Sequence, residues 1–112
     1  MTYCDLWVMK SSTPGIEMTK ADEDNIITGK PNNLLRIDEE GLGLCVEAQA
    51  LLKGKYNGQA IDWGTIGSKM TKSQVLQFIE ELYDSPEKIA EKKQMVTELS
   101  DDDIYVVAAM ES

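Results

Sequence analysis

Histidine is absent from this chain, and its absence removes several classes of chemistry. Ser–His and Cys–His nucleophiles, HExxH zinc sites and imidazole general bases all require that residue. The two cysteines, Cys4 and Cys45, lie far apart without CxxC spacing, so we interpret them as small buried hydrophobes rather than as a disulfide or metal site. We therefore expect no catalytic residues, no metal, no cofactor and no enzymatic activity.

Long apolar runs are also missing. No window reaches the roughly 18 apolar residues that a membrane span needs. The first ten residues, MTYCDLWVMK, do not show a basic region followed by an apolar core and a small-residue cleavage site. We expect a cytoplasmic protein that has no membrane partner.

Positive charge is scarce relative to negative charge. The chain has 20 Asp and Glu against 11 Lys and Arg, which gives a formal net charge of -9. Nucleic acids and anionic membranes attract clustered Lys and Arg, so direct binding to DNA or RNA is disfavoured. The same charge favours a basic protein as the partner.

The 112 residues are long enough for one hydrophobic core, and we predict a single domain over residues 1–112. Strand-like and helix-like segments alternate along the chain, which predicts an α+β fold, with α/β as the alternative. We expect a sheet of about four strands with three or four helices. The predicted strands are YCDLWVM inside the sheet, NNLLRID, QAID, and an apolar terminal strand, DIYVVAAM, at the centre of the sheet.

Capping patterns predict where three helices begin. Thr71 with Gln74 makes a capping box in front of an apolar stripe, and Ser85 followed by proline marks a second start. Thr19 with Asp22 predicts a short helix that stops at Gly29. We interpret Asp22 as an acid that the helix dipole favours and that needs no partner.

Residues 42–53 are ambiguous between two structures. Leu42, Leu44, Val46 and Ala48 alternate as in a strand, whereas VEAQALLK is rich in good helix formers. We predict a largely buried helix, with a hairpin turning at residues 38–41 as the alternative. Asn57-Gly58 predicts a tight turn after this segment.

The run DWGTIGSKMTKSQ, residues 62–74, combines glycines, a lysine and threonines in front of a helix. Its spacing fails the GxxxxGK[ST] pattern of a phosphate-binding loop, because Lys69 does not follow a glycine. We interpret the run as a glycine-containing turn between a strand and a helix. A small phosphate-ligand or nucleotide site in the 64–71 loop, using Gly64, Gly67, Lys69 and Thr71, is the alternative.

Some acids are not explained by local structure and are better candidates for function. Glu80 and Glu81 lie in the last turns of a predicted helix, where the dipole makes negative charge unfavourable. The consecutive acids Asp101 to Asp103 lack the alternating spacing of a calcium loop. The candidate partner-binding residues are Glu80, Glu81, Asp101, Asp102 and Asp103, with Tyr83 and Trp63 as apolar anchors.

Together these patterns predict a small acidic protein-binding or inhibitory module that recognises a basic protein surface, in the manner of an immunity protein or a phage counter-defence protein. The phosphate-ligand domain described above is one alternative. A structural homo-oligomeric subunit, with a homodimer possible, is another.

Overall fold

A computed structural model describes residues 3–11, 13–28, 34–62 and 64–111. Five strands and four helices lie within these residues. The elements in chain order are β1 (Tyr3–Lys10), α1 (Lys20–Thr28), β2 (Leu34–Gly41), α2 (Leu42–Lys55), β3 (Gln59–Asp62), β4 (Thr65–Thr71), α3 (Lys72–Leu82), α4 (Pro86–Val96) and β5 (Ile104–Glu111).

The five strands form one antiparallel sheet in the order β2-β1-β5-β4-β3. The fold is therefore α+β, as predicted, and the antiparallel pairing rules out the α/β alternative. The prediction that β5 lies at the centre of the sheet, and that β1 lies inside it, is confirmed. The sheet has five strands rather than about four because residues 65–71 form β4, which pairs with β5 from Thr65↔Met110 to Thr71↔Ile104.

The main core lies on one face of the sheet. Helices α2 and α3 pack on this face, and α4 packs against α3. Alternate side chains of β1 and β5 point into this core, as expected for strands whose successive residues face opposite sides. Its most buried members include Leu6, Leu52, Met70, Val75, Phe78, Ile79, Val96 and Val107.

Helix α1 covers part of the opposite face. Met9 of β1, Ile26 of α1, and Val106 and Ala108 of β5 form a second, smaller apolar cluster there. The sheet is thus covered by helices on both faces, unevenly. No helix in the described ranges is long and apolar enough to cross a membrane.

The predicted helix starts agree with the structure. Thr71 is the N-cap of α3 and forms the full capping box with Gln74, and Ser85 caps α4 in front of Pro86. The Thr19 and Asp22 side chains each bond the other's backbone N–H, at 3.3 and 3.2 Å, so the α1 cap is also confirmed. The predicted stop at Gly29 lies outside the described residues.

Residues 42–55 form a helix, as in the first prediction. The helix is not largely buried as predicted, because residues 46, 47, 50 and 53–55 are exposed. The hairpin alternative is wrong because β2 continues through Gly41 as it pairs with β1. Asn57 adopts a left-handed backbone with φ of 56°, and the Gly58 N–H donates to Leu52 O at 2.8 Å. The predicted turn at Asn57-Gly58 therefore ends α2 and redirects the chain into β3.

Candidate functional site

An open groove runs between α2 and the end of α3, on the helical side of the protein. We call it the α2–α3 groove; it encloses about 500 Å³. Its lining residues are Glu47, Ala50 and Leu51 of α2, Glu81 and Leu82 of α3, and Asp84 just beyond α3.

Helical periodicity explains why these side chains meet. Cys45, Ala48 and Leu52 of α2 point into the core and are almost fully buried. Leu51 is half-buried because it lies on the flank of the helix, about 100° from Leu52, whereas Ala50, two residues from both Ala48 and Leu52, lies on the side opposite the core and is exposed. The groove therefore has small and apolar side chains along its floor.

Val46, an exposed apolar residue of α2, does not belong to the groove. It is 61% exposed, and because it precedes Leu51 by five residues it lies about 140° around the helix from that side chain. It is not among the residues that line the groove, so the apolar surface of the groove is limited to its floor.

The carboxylates of the groove differ in how their charge is compensated. Glu81 accepts hydrogen bonds from Lys55 Nζ and Tyr56 Oη, and these bonds lower the pKa of its carboxyl. Glu47 and Asp84 are exposed, and neither forms an ion pair with another described residue. The unbalanced negative charge of the groove therefore comes from Glu47 and Asp84.

Glu80 lies beside the groove but is not among its lining residues. Its carboxylate forms an ion pair with Lys93 of α4 on the protein surface. Such a pair between exposed groups adds little stability. The charge of Glu80 is thus compensated by Lys93, and its side chain does not face the floor of the groove.

Tyr83, predicted as an apolar anchor for a partner, does not lie on the surface. The side chain is 6% exposed, and its phenol donates to Asp38 Oδ2 at 2.6 Å. Lys92, also buried, donates from Nζ to Ile37 O at 3.0 Å and lies 3.6 Å from Asp38 Oδ2. Tyr83 therefore holds the end of α3 against β2.

Trp63, the other predicted anchor, lies outside the described residues.

The acids Asp101 to Asp103 lie away from the groove, so the predicted acids do not form one patch. Asp101 pairs with Lys72, the first residue of α3, at 3.0 Å, whereas Glu80 and Glu81 lie in the last turn of that helix. Eight residues of helix separate these ends by about 12 Å. Asp103 pairs with Lys10 at 3.6 Å.

The alternative prediction placed a phosphate-ligand site in a loop at residues 64–71. The structure corrects this, because residues 65–71 form strand β4. Gly64 makes a left-handed turn with φ of 79°, and β4 begins at the next residue. Gly67 lies within that strand against the Ile61 side chain. Thr71 caps α3 as predicted. The strand forms because hydrogen bonds to β5 and β3 offset the low strand preference of glycine.

Lys69 points away from solvent into a buried polar network. Its ammonium group is 0% exposed and donates to Thr13 Oγ1 at 2.8 Å, Asp22 Oδ2 at 3.1 Å and Glu17 O at 3.2 Å. An ammonium group has three protons, and each has an acceptor here. Lys69 is thus not positioned to bind a phosphate.

Asp22 was predicted to need no partner, but in the structure it is the buried counter-charge of Lys69. Its carboxylate is 0% exposed and also accepts from Ser11 Oγ at 2.7 Å and Thr19 Oγ1 at 2.8 Å. The network ties residues 11–22 to β4. The sequence contained one signal of this network, namely Lys69. Its neighbours lie in a buried strand, and a lysine that is buried needs an acidic partner.

Among the residues with a described placement, no group of three or more Cys, Asp and Glu side chains is arranged to hold a metal ion. Comparison of the chain with protein-family models, with curated proteins and with solved structures finds no match. The chemistry of the groove is therefore the basis for a functional proposal.

Proposed function

We propose that this protein is a small acidic binding or inhibitory module that recognises a basic surface of another protein through the α2–α3 groove. The observation that supports this most is the pairing of an apolar floor, Leu51 and Leu82, with uncompensated carboxylates at Glu47 and Asp84. A net charge of -9 adds a long-range field that attracts a cationic partner to the protein.

The occupant that suits such a groove carries lysine or arginine beside apolar residues. Long cationic side chains lay their aliphatic stems along apolar surface while the charged end stays near carboxylates or water. Leu51 provides most of the apolar surface of the groove, and Leu82, which is 6% exposed, adds a small part. Affinity would come from these apolar contacts, whereas the carboxylates would raise the association rate and select the partner.

The first test is affinity capture with the wild-type protein as bait, followed by charge reversal within the groove. We expect the captured partner to be basic and the Glu47→Lys/Asp84→Lys variant to associate with it at least about tenfold more slowly at low salt, because electrostatic steering is lost. Surface plasmon resonance measures this rate. Raising the salt until the Debye length falls below about 8 Å should remove most of the difference.

The matched control is Glu98→Lys/Asp102→Lys, which changes the net charge by the same amount at exposed acids away from the groove. This variant should retain most of the wild-type association rate. An acidic partner, or equal losses in the two double variants, would count against the groove as the binding surface.

A further inference from the structure

The turn that joins α2 to β3 brings two groups together that can react with each other. We call residues 56–58 the α2–β3 turn. Of the four asparagines in the chain, only Asn57 is followed by glycine. The backbone nitrogen of a glycine can attack the preceding asparagine side chain with little steric hindrance, because glycine has no Cβ. Asn57 is exposed, so water reaches its side-chain amide.

The fold holds the peptide groups on both sides of Asn57. The Tyr56 carbonyl accepts a hydrogen bond from Ser68 Oγ of β4, and the Ser68 side chain is buried. The Gly58 N–H donates to Leu52 O at 2.8 Å. Rotation about the backbone bonds of Asn57, whose φ is 56°, moves one of these two peptide groups and breaks its hydrogen bond. The closed turn therefore keeps the Gly58 nitrogen engaged.

We propose that Asn57 is a self-modification site, which loses its side-chain amide when the α2–β3 turn opens. The Gly58 nitrogen, after giving its proton to hydroxide, attacks Cγ of Asn57 and closes a five-membered imide. The bond from Cγ to the amide nitrogen breaks, and that nitrogen takes a proton from water and leaves as ammonia. Water then opens the imide at either carbonyl, which gives aspartate or isoaspartate. One water is consumed and one ammonia released.

The reaction requires an open turn because its nucleophile is a hydrogen-bonded amide. Leu52 O accepts the proton that the Gly58 nitrogen must lose before it attacks. Hydrogen-bonded amides lose their protons through local opening, which is what hydrogen exchange measures. The rate in the folded protein is therefore the rate of the open chain multiplied by the fraction of time that the turn is open.

The isoaspartate product cannot rebuild the turn as it was. Its main chain runs through Cβ and Cγ, so one extra atom lies between the two held peptide groups. The backbone has little room for it, since a Cβ on Gly58 would lie 2.8 Å from the Leu52 carbonyl carbon. The modified turn should stay loosened, so the product is a lasting mark of past opening. This inference does not depend on the α2–α3 groove.

The test compares the wild-type protein with a synthetic peptide of residues 52–62 in mildly alkaline buffer, with peptide mapping of the products. We expect aspartate and isoaspartate at Asn57 in both. The folded protein should react about tenfold or more slowly, and by at least the factor that protects the Gly58 amide from hydrogen exchange in NMR. Equal rates, a slowing smaller than that protection, or a peptide that stays unmodified would overturn the proposal.

A loosened turn gives a second, independent readout. Ser68→Ala removes the hydrogen bond to the Tyr56 carbonyl and should speed both the modification and the Gly58 exchange about threefold or more. The control Thr97→Ala removes an exposed hydrogen bond at the end of α4 and should leave both rates unchanged.

Sub-denaturing urea opens the wild-type turn without any substitution, so this part of the test does not depend on how well Ser68→Ala folds. The modification at Asn57 should rise with urea in parallel with Gly58 exchange, because opening exposes buried surface. A rate that follows neither urea nor Gly58 exchange would show that the closed turn reacts, and an Asn57 that stays intact while Gly58 exchanges freely would show that opening does not lead to modification.

Discussion

Replacing Asp22 with alanine is expected to lower the free energy of unfolding by about 3–5 kcal/mol, the usual cost of removing one partner of a buried ion pair. The remaining Lys69 ammonium would stay buried with only Thr13 and Glu17 O as acceptors. A small domain has a total stability of about 5–15 kcal/mol, so the variant should be only marginally folded. Urea denaturation followed by circular dichroism measures the difference.

Two controls separate the buried pair from ordinary surface charge effects. Asp103→Ala breaks the ion pair with the exposed Lys10 side chain and should cost about 1 kcal/mol or less. Adding Lys69→Met to Asp22→Ala removes the stranded charge and should restore part of the loss. If Asp22→Ala costs no more than Asp103→Ala, the network does not hold residues 11–22 to the sheet as described.

Replacing Phe78 with alanine is expected to destabilise the protein by about 3–5 kcal/mol, because a large buried aromatic leaves both a cavity and lost transfer free energy. Phe78 is the one phenylalanine in the chain and is 1% exposed. Its ring meets Tyr56, the residue after α2, edge-to-face with centroids 5.8 Å apart, so this contact with α3 is lost. Differential scanning calorimetry should show a large fall in the melting temperature.

Neighbouring substitutions make the Phe78 prediction specific. Gln77 is exposed on the same helix, and Gln77→Ala should change the stability by no more than about 0.5 kcal/mol. Phe78→Leu keeps most of the apolar volume and should fall between the two. Equal effects of Phe78→Ala and Gln77→Ala would contradict the described core between α2, α3 and the sheet.

Local signals in the sequence predicted the starts of the helices well. The caps at Thr19, Thr71 and Ser85 depend on hydrogen bonds that span three residues, so they are visible without the fold. Strand β4 was missed for the opposite reason. Gly64 and Gly67 suggest a loop when considered locally, and the segment is a strand only because β5 and β3 supply partners on both sides.

The long-range contacts were the part that the sequence did not reveal. Lys69 with Asp22 and Lys92 with Asp38 each join elements that are distant in the chain. Spacing within a helix or strand carries no information about such pairs. Tyr83, which extends the apolar stripe of α3, was predicted as an apolar anchor for a partner, but its phenol contacts Asp38 inside the fold.

The candidate site was predicted only in part. Glu81 was selected because the dipole of its own helix disfavours it, and the structure places it in the α2–α3 groove. Glu47 was not selected, because nothing in its local sequence distinguishes it. Its relation to Asp84 depends on how α2 packs beside α3, which is a property of the tertiary structure.

The most direct test of the groove is an NMR titration of the ¹⁵N-labelled protein with a helical peptide of alternating leucine and lysine pairs, with the matched leucine–glutamate peptide as control. The account predicts that the lysine peptide shifts the amide signals of Glu47, Leu51, Leu82 and Asp84 most, and that the glutamate peptide leaves them unchanged. Largest shifts at Asp101 to Asp103, or shifts spread evenly over all exposed acids, would contradict the proposal that the α2–α3 groove is the binding surface.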